Sequence, residues 1–579
     1  MRSRDPQKYV RMRTTMVGIA LAVGLVIIGV KAVHIQVFQG KWLSEKAASQ
    51  YERSMVSQGK RGTIFDAKMR KLAVSIDVTS IGAQTGLIKD KGMTAVALAG
   101  ALRMNIKALR KKLTPKKTFV WIKRHVTPKE TLAVRKLDLP GIEFVEERSR
   151  FYPYKTLAAQ VLGFSGIDGN GLEGIEYYFD QKLKGAKGKV TVIRDALGRG
   201  FDSEQGRFSR DRGQNLVLTV DRRIQFITEK ALEEAVLNYN ARSGLAIVMA
   251  PETGAILAMA NYPFFNPNNY RKFKRDLWRN RSLTDPFEPG STMKIFSVAA
   301  AIEQGNHSAS SIFYCENGKY RIGRNTVHDT KKHGWLTVQQ IVKYSSNIGA
   351  VKIGEVIGSE TLYQTLRDFG FGSRTGIDCP GETNGSLAPF RKWTRIDAGT
   401  IAFGQGVSVS ALQLVSATAA IANDGVLMKP YLVQAVTDQN GRLLKSNSPR
   451  VIRRAVSSHT ARTVARMMQS VVMEGGTGTN AALDGYTSCG KTGTAQKIGE
   501  DGKYAKKKYI SSFVGFAPVE NPKVAILVLV DEPVKYHYGG TVAAPAFKKI
   551  AHGTLDYMNV PPKNDSDAFV SLPEQEARI

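Results

Sequence analysis

Three short segments carry residue types that could act together on an acyl group. In EPGSTMK (288–294), Ser291 and Lys294 stand three apart. On a helix that spacing sets them one turn apart on one face, hydroxyl beside amine. Pro289 and Gly290 precede, and the apolar-periodic IFSVAAAIEQG (295–305) follows, so Ser291 sits at a helix start, where developing negative charge is favoured. A free lysine, with a pKa of about 10.4, is a poor base at neutral pH. Burial and a second nearby cation lower it. YSSNIGA (344–350) adds Ser345, Ser346 and Asn347, inside or at the end of a helical stretch. CGKTGTA (489–495) adds Lys491, Thr492, Gly493 and Thr494. On an exposed strand these offer a cation, hydroxyls and a side-chain-free stretch that a substrate backbone can approach. Each segment alone is a weak signal; all three in this order are far more specific.

Two other glycine-rich segments resemble nucleotide sites. GYTSCGKT (485–492) satisfies the phosphate-loop spacing, but no apolar strand leads in and Gly493 is a poor helix starter. GNGLEG (169–174) fits G-x-G-x-x-G, and KVTVIRD (189–195) ends in Asp195 about 20 residues on, as a dinucleotide fold asks. Only one such unit is present, and turn residues Ser165 to Asp168 separate the apolar run from the glycines. Both readings are set aside.

The elements that must hold these residues can be read in outline. LVLTV (216–220) reads as a strand, and Asp221 opens a helical pattern through Ile224, Ile227, Ala231 and Val236. Residues 246–260 read as a hairpin of two apolar strands about a Pro/Gly turn, and 511–519 with 524–530 as another. Apolar helices are expected over 294–304 and 337–357. Strands at both ends with helices between suggest one antiparallel sheet flanked by helices, an α/β (α+β) class of fold. Residues 39–215 read as a separate basic module. Lys107, Arg110, Lys111, Lys112, Lys116, Lys117, Lys123 and Arg124 form either a patch for an anionic polymer or a solvated face. The tail 559–579 is polar and expected to be disordered.

The chain has 579 residues with a net charge of +33 and 42% hydrophobic residues, which excludes a wholly disordered chain and a polytopic membrane protein. The charge favours anionic surroundings without saying which. Three cysteines, Cys315, Cys379 and Cys489, exclude a disulfide scaffold and a zinc ribbon; three unpaired buried thiols, or one disulfide and a thiol, remain. Arg2, Arg4, Lys8, Arg11 and Arg13 precede an uncharged run from Thr14 to Val30. At 1.5 Å per residue that run is about 26 Å long, and Ala32 to Phe38 extends it. With no A-x-A site just beyond, it reads as an uncleaved anchor over 14–38 with 1–13 cytoplasmic and the body exported. That placement argues against nucleotide ligands and nucleic acid. The eight histidines show no metal spacing, so neither metal nor cofactor is expected.

With these motifs in hand, the chain resembles the class B penicillin-binding proteins, membrane-anchored peptidoglycan D,D-transpeptidases. RGTIFD (61–66) is similar to the family's R-G-x-I-x-D element and GLEGIE (171–176) to its G-x-x-G-x-E element; LTVDRRIQ (218–225), APETGAILAMA (250–260) and YHYGGTVAAPAF (536–547) add to the likeness. AKMRKLAVS (67–75) departs from the usual Arg-Asn-Gly before Leu-Ala, away from any catalytic motif. The resemblance implies a pedestal over 39–215 and a transpeptidase domain over 216–558. It implies Ser291 as acylated nucleophile, Lys294 as base, Ser345 as proton relay and Asn347 as a holder of substrate and Lys294. Lys491 and Thr492 would bind the substrate carboxylate, with Gly493 and Thr494 lining the substrate strand. Backbone N–H groups of Ser291 and Thr494 would form the oxyanion hole. The implied partners are lipid-linked nascent glycan with its stem peptides, β-lactams, a membrane glycosyltransferase and other division proteins. Length, single anchor and LAVS resemble the septal branch; an elongation-type enzyme is the close rival. A β-lactam hydrolase would need a deacylating base, and no E-x-x-L-N lies between Asn347 and Lys491. A β-lactam sensor would carry further spans or a protease module.

Overall fold

The structure is a computed structural model that describes residues 6–114, 119–185, 187–194, 200–201, 212–323, 325–499 and 503–563. The chain divides into two bodies, Met1–Gly59 with Ala186–Arg212, and Lys60–Gly185 with Gly213–Ile579. Residues 39–215, one module in the sequence reading, contribute to both. Arg2, Arg4, Lys116, Lys117, Asp195 and the tail beyond residue 563 lie outside the described residues.

The first body contains the helix Pro6–Val33, a π-helical turn His34–Phe38 and the helix Gly40–Tyr51. Gln7–Phe38 is long and apolar enough to cross a membrane, and its Leu21, Leu25 and Ile28 side chains are exposed. Strand Glu52–Gln58 pairs antiparallel with Lys187–Arg194.

In the second body a five-stranded antiparallel sheet runs in the order Ile256–Tyr262, Ser243–Met249, Val524–Asp531, Tyr504–Ala517, Cys489–Ile498. Ser243–Met249 is buried at every position. The reason is that its alternate side chains enter two cores. Ala246 and Val248 pack with Leu232, Phe547 and Ile550 beneath the helices Arg222–Asn238 and Ala544–Tyr557. Leu245 and Ile247 face the core that holds Leu412 and Val415 of helix Ala411–Ala422. The expected hairpins and flanking helices are therefore present, with Asp221 capping Arg222–Asn238 through Arg223 and Ile224 N–H.

One expected element is divided. The apolar pattern over 337–357 forms two helices, Val338–Tyr344 and Asn347–Ile357. Ser345 between them is left-handed (φ 62°), and Ser346 caps the second helix through Gly349 N–H. The apolar pattern carries across this break because both helices bury their apolar residues in the same core.

A seven-stranded sheet joins the basic module to the catalytic part. Ile64–Phe65 pairs parallel with Asn215–Leu218 and antiparallel with Lys71–Ala83, so Lys60–Gly185 and the later chain share one sheet. The second glycine-rich decoy also finds its place here. A Cβ on Gly171 would stand 1.9 Å from Glu176 O, so the residue must be glycine for chain packing. Glu176 is fully buried and receives Arg61 Nε at 2.6 Å and Arg150 Nε at 2.5 Å. Burial works against its charge, but the two guanidiniums outweigh it and hold the carboxyl below its usual range. In the basic stretch, Lys123 pairs with Glu130 at 2.6 Å, and Arg124 with Glu147 and Asp168 at 2.6 and 2.7 Å. Those two cations are committed within the fold. Cys315, Cys379 and Cys489 are buried free thiols.

Candidate active site

Ser291 lies on a 3₁₀ turn, Gly290–Met293, that runs directly into the helix Lys294–Glu303. Gly290 has φ 54°, and its N–H donates to Gly404 O at 3.1 Å. This seats the turn against the sheet edge: a Cβ on Gly290 would stand 3.4 Å from Thr494 O. The three sequence segments meet here. Lys294 Nζ donates to Ser291 Oγ at 2.9 Å, Asn347 Oδ1 at 2.8 Å, Ser345 O at 2.7 Å and Ser345 Oγ at 3.1 Å. Lys491 Nζ reaches the same Ser345 Oγ at 2.9 Å, and Thr492 O and Oγ1 at 3.3 Å each. Ser345 Oγ thus bridges two amines. The left-handed backbone of Ser345 turns both its carbonyl and its hydroxyl toward Lys294.

Lys294 and Lys491 both have no exposed surface. Desolvation pushes the Lys294 amine down to about 7, with the Asp329 carboxylate opposing that fall. Burial depresses Lys491 as well, and the Lys294 charge adds to the effect. Two ammonium ions in one buried site repel, so the pair holds fewer than two protons near neutrality. A neutral amine beside Ser291 Oγ is a competent proton acceptor.

Lys491, Thr492, Gly493 and Thr494 lie on the edge strand Cys489–Ile498, paired on one side with Tyr504–Ala517. The phosphate-loop reading fails here: Lys491 and Thr492 sit mid-strand, with no helix following. Gly493 faces the turn that carries Ser291. A Cβ there would come within 2.3 Å of Ser512 Oγ, 3.0 Å of Thr292 Cγ2 and 3.2 Å of Pro289 O. The Thr492 hydroxyl is 3.0 Å from that of Thr477, and Thr494 Oγ1 accepts Gly539 N–H at 3.2 Å. A strand edge with a cation, hydroxyls and free backbone groups can take an extended peptide ending in a carboxylate.

Sequence reasoning missed Asp329. Its carboxylate accepts Ser346 Oγ at 2.6 Å, Asn347 N–H, and Ile348 N–H at 3.1 Å. Asn347 Nδ2 in turn donates to His328 O at 2.9 Å. No spacing rule points to Asp329, because it reaches the site from a separate hairpin, Lys319–Ile322 with Asn325–His328. Glu288 was missed too. It accepts Gly406 N–H at 2.9 Å and Tyr504 O–H at 3.0 Å, tying the segment before Ser291 to a neighbouring loop and to the start of the strand Tyr504–Ala517.

Residues 244–552 match the penicillin binding protein transpeptidase domain, and residues 56–218 match the penicillin-binding protein dimerisation domain. The chain is 36% identical over 557 residues to the probable peptidoglycan D,D-transpeptidase PenA of Neisseria gonorrhoeae, covering 95% of this chain and 93% of the relative. It is 36% identical over 522 residues to the peptidoglycan D,D-transpeptidase FtsI of Escherichia coli K12, covering 88% and 86%. Among solved structures, penicillin binding protein 3 of Mycobacterium tuberculosis complexed with aztreonam superposes with a TM-score of 0.69. Its identity is 30%, over 88% of this chain and 98% of that one. The chain therefore belongs to the class B penicillin-binding proteins, with a dimerisation module and a transpeptidase domain. Within that class it is a peptidoglycan D,D-transpeptidase of the FtsI and penicillin binding protein 3 kind.

Proposed function

We propose that the protein cross-links stem peptides during septal wall synthesis through an acyl-enzyme on Ser291. The carrying observation is the fully buried Lys294 amine, 2.9 Å from Ser291 Oγ and depressed to about 7. Lys294 takes the Ser291 proton as Oγ attacks the carbonyl carbon of a D-Ala-D-Ala bond. The oxyanion forms against the Ser291 and Thr494 N–H groups; each such donor is typically worth roughly 3–4 kcal/mol. Ser345 passes the proton to the departing D-alanine amine, and an acceptor amine then attacks the acyl-enzyme and restores Ser291. Asn347 holds Lys294, while Lys491 and Thr492 take the substrate carboxylate.

The carboxylate has a second effect. Arriving beside Lys491, it favours the charged form of that amine. One proton shared by two amines through Ser345 Oγ then rests on Lys491, leaving Lys294 neutral for the base step.

The same machinery accepts a β-lactam ring amide in place of the peptide. No E-x-x-L-N segment lies between Asn347 and Lys491 to supply a deacylating carboxylate, which favours a persistent adduct. Residues 14–38 serve as a single-pass anchor in the inner membrane, with 1–13 cytoplasmic, the pedestal at 39–215 and the catalytic domain at 216–558 outside. The membrane glycosyltransferase and division proteins are its partners there, and lipid-linked nascent glycan its substrate source. Similarity to FtsI over 88% of the chain supports the septal assignment. Mass spectrometry of penicillin-treated protein should place the adduct on Ser291, and Ser291→Ala should abolish it; an adduct elsewhere, or rapid turnover of penicillin, overturns the mechanism. A fluorescent fusion confined to the side wall overturns the septal role.

A further inference from the structure

The short strands Ile312–Tyr314 and Trp335–Thr337 pair antiparallel, with Ile312 opposite Thr337, Phe313 opposite Leu336 and Tyr314 opposite Trp335. Side chains alternate across such a ribbon, so one face carries Phe313 and Leu336 and the other Ile312, Tyr314, Trp335 and Thr337. The first face is accounted for: Leu336 is buried in the core, and Phe313 packs against it. The second faces outward, where a half-buried sheet ordinarily turns polar residues to water. Here Trp335 is 66% exposed and Ile312 61%. The Trp335 and Tyr314 rings stand with centroids 5.2 Å apart, and Asn317 Nδ2 donates to the Tyr314 hydroxyl at 2.9 Å, fixing that ring. The ribbon is fastened to the catalytic segment at two points. The thiol of Cys315, next after Tyr314, lies 3.5 Å from Ser346 Oγ. His333 stacks on Tyr344, the residue before Ser345, with centroids 5.3 Å apart. The surroundings are basic. Between Asn317 and Tyr344 the sequence holds Lys319, Arg321, Arg324, Lys331, Lys332 and Lys343 against a single acid, Asp329, which is engaged by Ser346, Asn347 and Ile348. Lys331 and Lys332 are exposed, and no carboxylate among the described residues stands within ion-pair distance of either.

We propose that this outward face binds the glycan backbone of the wall strand, with a pyranose ring lying on Trp335 and Tyr314 and the carboxylates of an attached stem peptide against Lys331 and Lys332. The proposal rests on the transpeptidase reading, since that reading brings a stem peptide, and the sugar it hangs from, to Ser291. The chemistry of the face fits a sugar. A pyranose ring presents axial C–H bonds on one side, which pack on an aromatic ring, while its rim of hydroxyls stays in water. A stable protein interface takes about 800 Å² from each partner. Two rings and one isoleucine are too small an apolar surface for that and match one or two sugar rings. The lysines supply the complement to the stem peptide: free carboxylates meet exposed cations in an attraction that is weak singly and screened by salt. Seating the sugar beside residues 344–347 holds the strand by a part that does not react. The stem peptide then reaches Ser291 from a tethered strand, at a raised effective concentration. Penicillin carries no sugar, so acylation by it bypasses the face.

The test uses detergent-solubilised full-length protein already acylated with penicillin, so that Ser291 is blocked and binding elsewhere is read. Two probes are titrated by calorimetry: N-acetylchitotetraose, a neutral glycan, and soluble uncross-linked glycan strands that bear stem peptides. Both should bind saturably, the strands more tightly. Trp335→Ala should weaken both about tenfold, and Trp335→Phe, which keeps an aromatic face, should recover most of the loss. Lys331→Gln combined with Lys332→Gln should weaken the strands several-fold at low salt and leave N-acetylchitotetraose unchanged. Every variant should be acylated by a fluorescent penicillin at the parent rate. No saturable binding of N-acetylchitotetraose, unchanged affinity in Trp335→Ala, or slowed acylation in that variant, the mark of a merely structural role, would each overturn the proposal. Unchanged affinity of the strands for the double lysine variant would overturn the part assigned to the stem-peptide carboxylates. Acylation of Ser291 is read separately, so failure of glycan binding leaves the transpeptidase assignment untouched, and an adduct missing from Ser291 sinks that assignment by itself.

Discussion

Asp329→Asn keeps the shape of the side chain and removes one charge, and two consequences follow with different signatures. The carboxylate now receives three donors, from Ser346, Asn347 and Ile348. A hydrogen bond to a charged group contributes roughly 1.5–3 kcal/mol and a neutral one roughly 0.5–1.5. Neutralisation therefore weakens the three by about 3 kcal/mol in sum. The amide also presents a donor to Ser346, whose own proton must then turn toward Cys315 Sγ, 3.5 Å away. These bonds fix the backbone that carries Ser345 and Asn347. If about 1–2 kcal/mol of the loss reaches the transition state, the plateau rate of acylation falls about five- to thirtyfold. The second consequence concerns pH. Burial lowers the Lys294 amine and the Asp329 charge opposes it, so removing that charge drops the amine further below its value of about 7. The neutral base then persists to lower pH, and the acid limb of the acylation profile moves down. Stopped-flow acylation by a fluorescent penicillin across the pH range measures both. A lower plateau with the acid limb unmoved or raised would refute the electrostatic reasoning, and an unchanged plateau would refute the positioning.

Gly493→Ala should cut penicillin acylation by at least tenfold with little loss of stability. The new Cβ, 2.3 Å from Ser512 Oγ and 3.0 Å from Thr292 Cγ2, forces the substrate strand off the nucleophile turn; a near-normal labelling rate would show that the strand gives way freely. Lys491→Ala should slow acylation by carboxylate-bearing penicillins, because it removes the buried cation 2.9 Å from Ser345 Oγ. Equal rates for variant and parent would refute its role as carboxylate partner. Glu176→Gln leaves Arg150 without its carboxylate and Arg61 with Asp180 alone, and should cost about 3–5 kcal/mol, read as a lower denaturant midpoint. Because the Glu176 carboxyl is depressed in the fold, its contribution is full above the unfolded carboxyl pKa and is lost as pH falls through the folded value. The deficit of the variant should therefore shrink in acid, and a deficit constant with pH would refute the ion-pair account.

What was legible in the sequence was local or periodic. Ser291 and Lys294 are neighbours on one turn, so their contact follows from spacing alone. The strands 243–249 and 524–531 announced themselves as apolar runs because both faces of the sheet are covered. Ser345 was legible as a polar interruption but not as a left-handed residue. No pattern rule separates a helix that continues through serines from one that breaks there. Asp329 was invisible because its value comes from tertiary approach: a short hairpin brings it under the cap of the helix Asn347–Ile357. The Arg61–Glu176 pair, 115 positions apart, was foreshadowed only by the two elements that resemble the family's, since burial of an ion pair leaves no periodic trace.

The division of labour among the three segments has a physical cause. A serine and a lysine one turn apart make a proton acceptor only if the lysine is dry, and a helix start on its own is wet. Drying it takes a second helix, whose entry at Ser345 supplies a carbonyl and a hydroxyl, and whose first residue, Asn347, supplies an amide oxygen. Those acceptors, with Ser291 Oγ, occupy every donor of the amine, yet burial still disfavours its charge. The edge strand then adds another amine against the same hydroxyl, which raises the cost of holding two protons and makes the pair responsive to an arriving anion. Asp329 counters by fixing the second helix and by opposing the fall of the Lys294 amine. Each segment answers the electrostatic cost imposed by the one before, which is why none is sufficient as a signature and why their order in the chain matters less than their meeting at one hydroxyl.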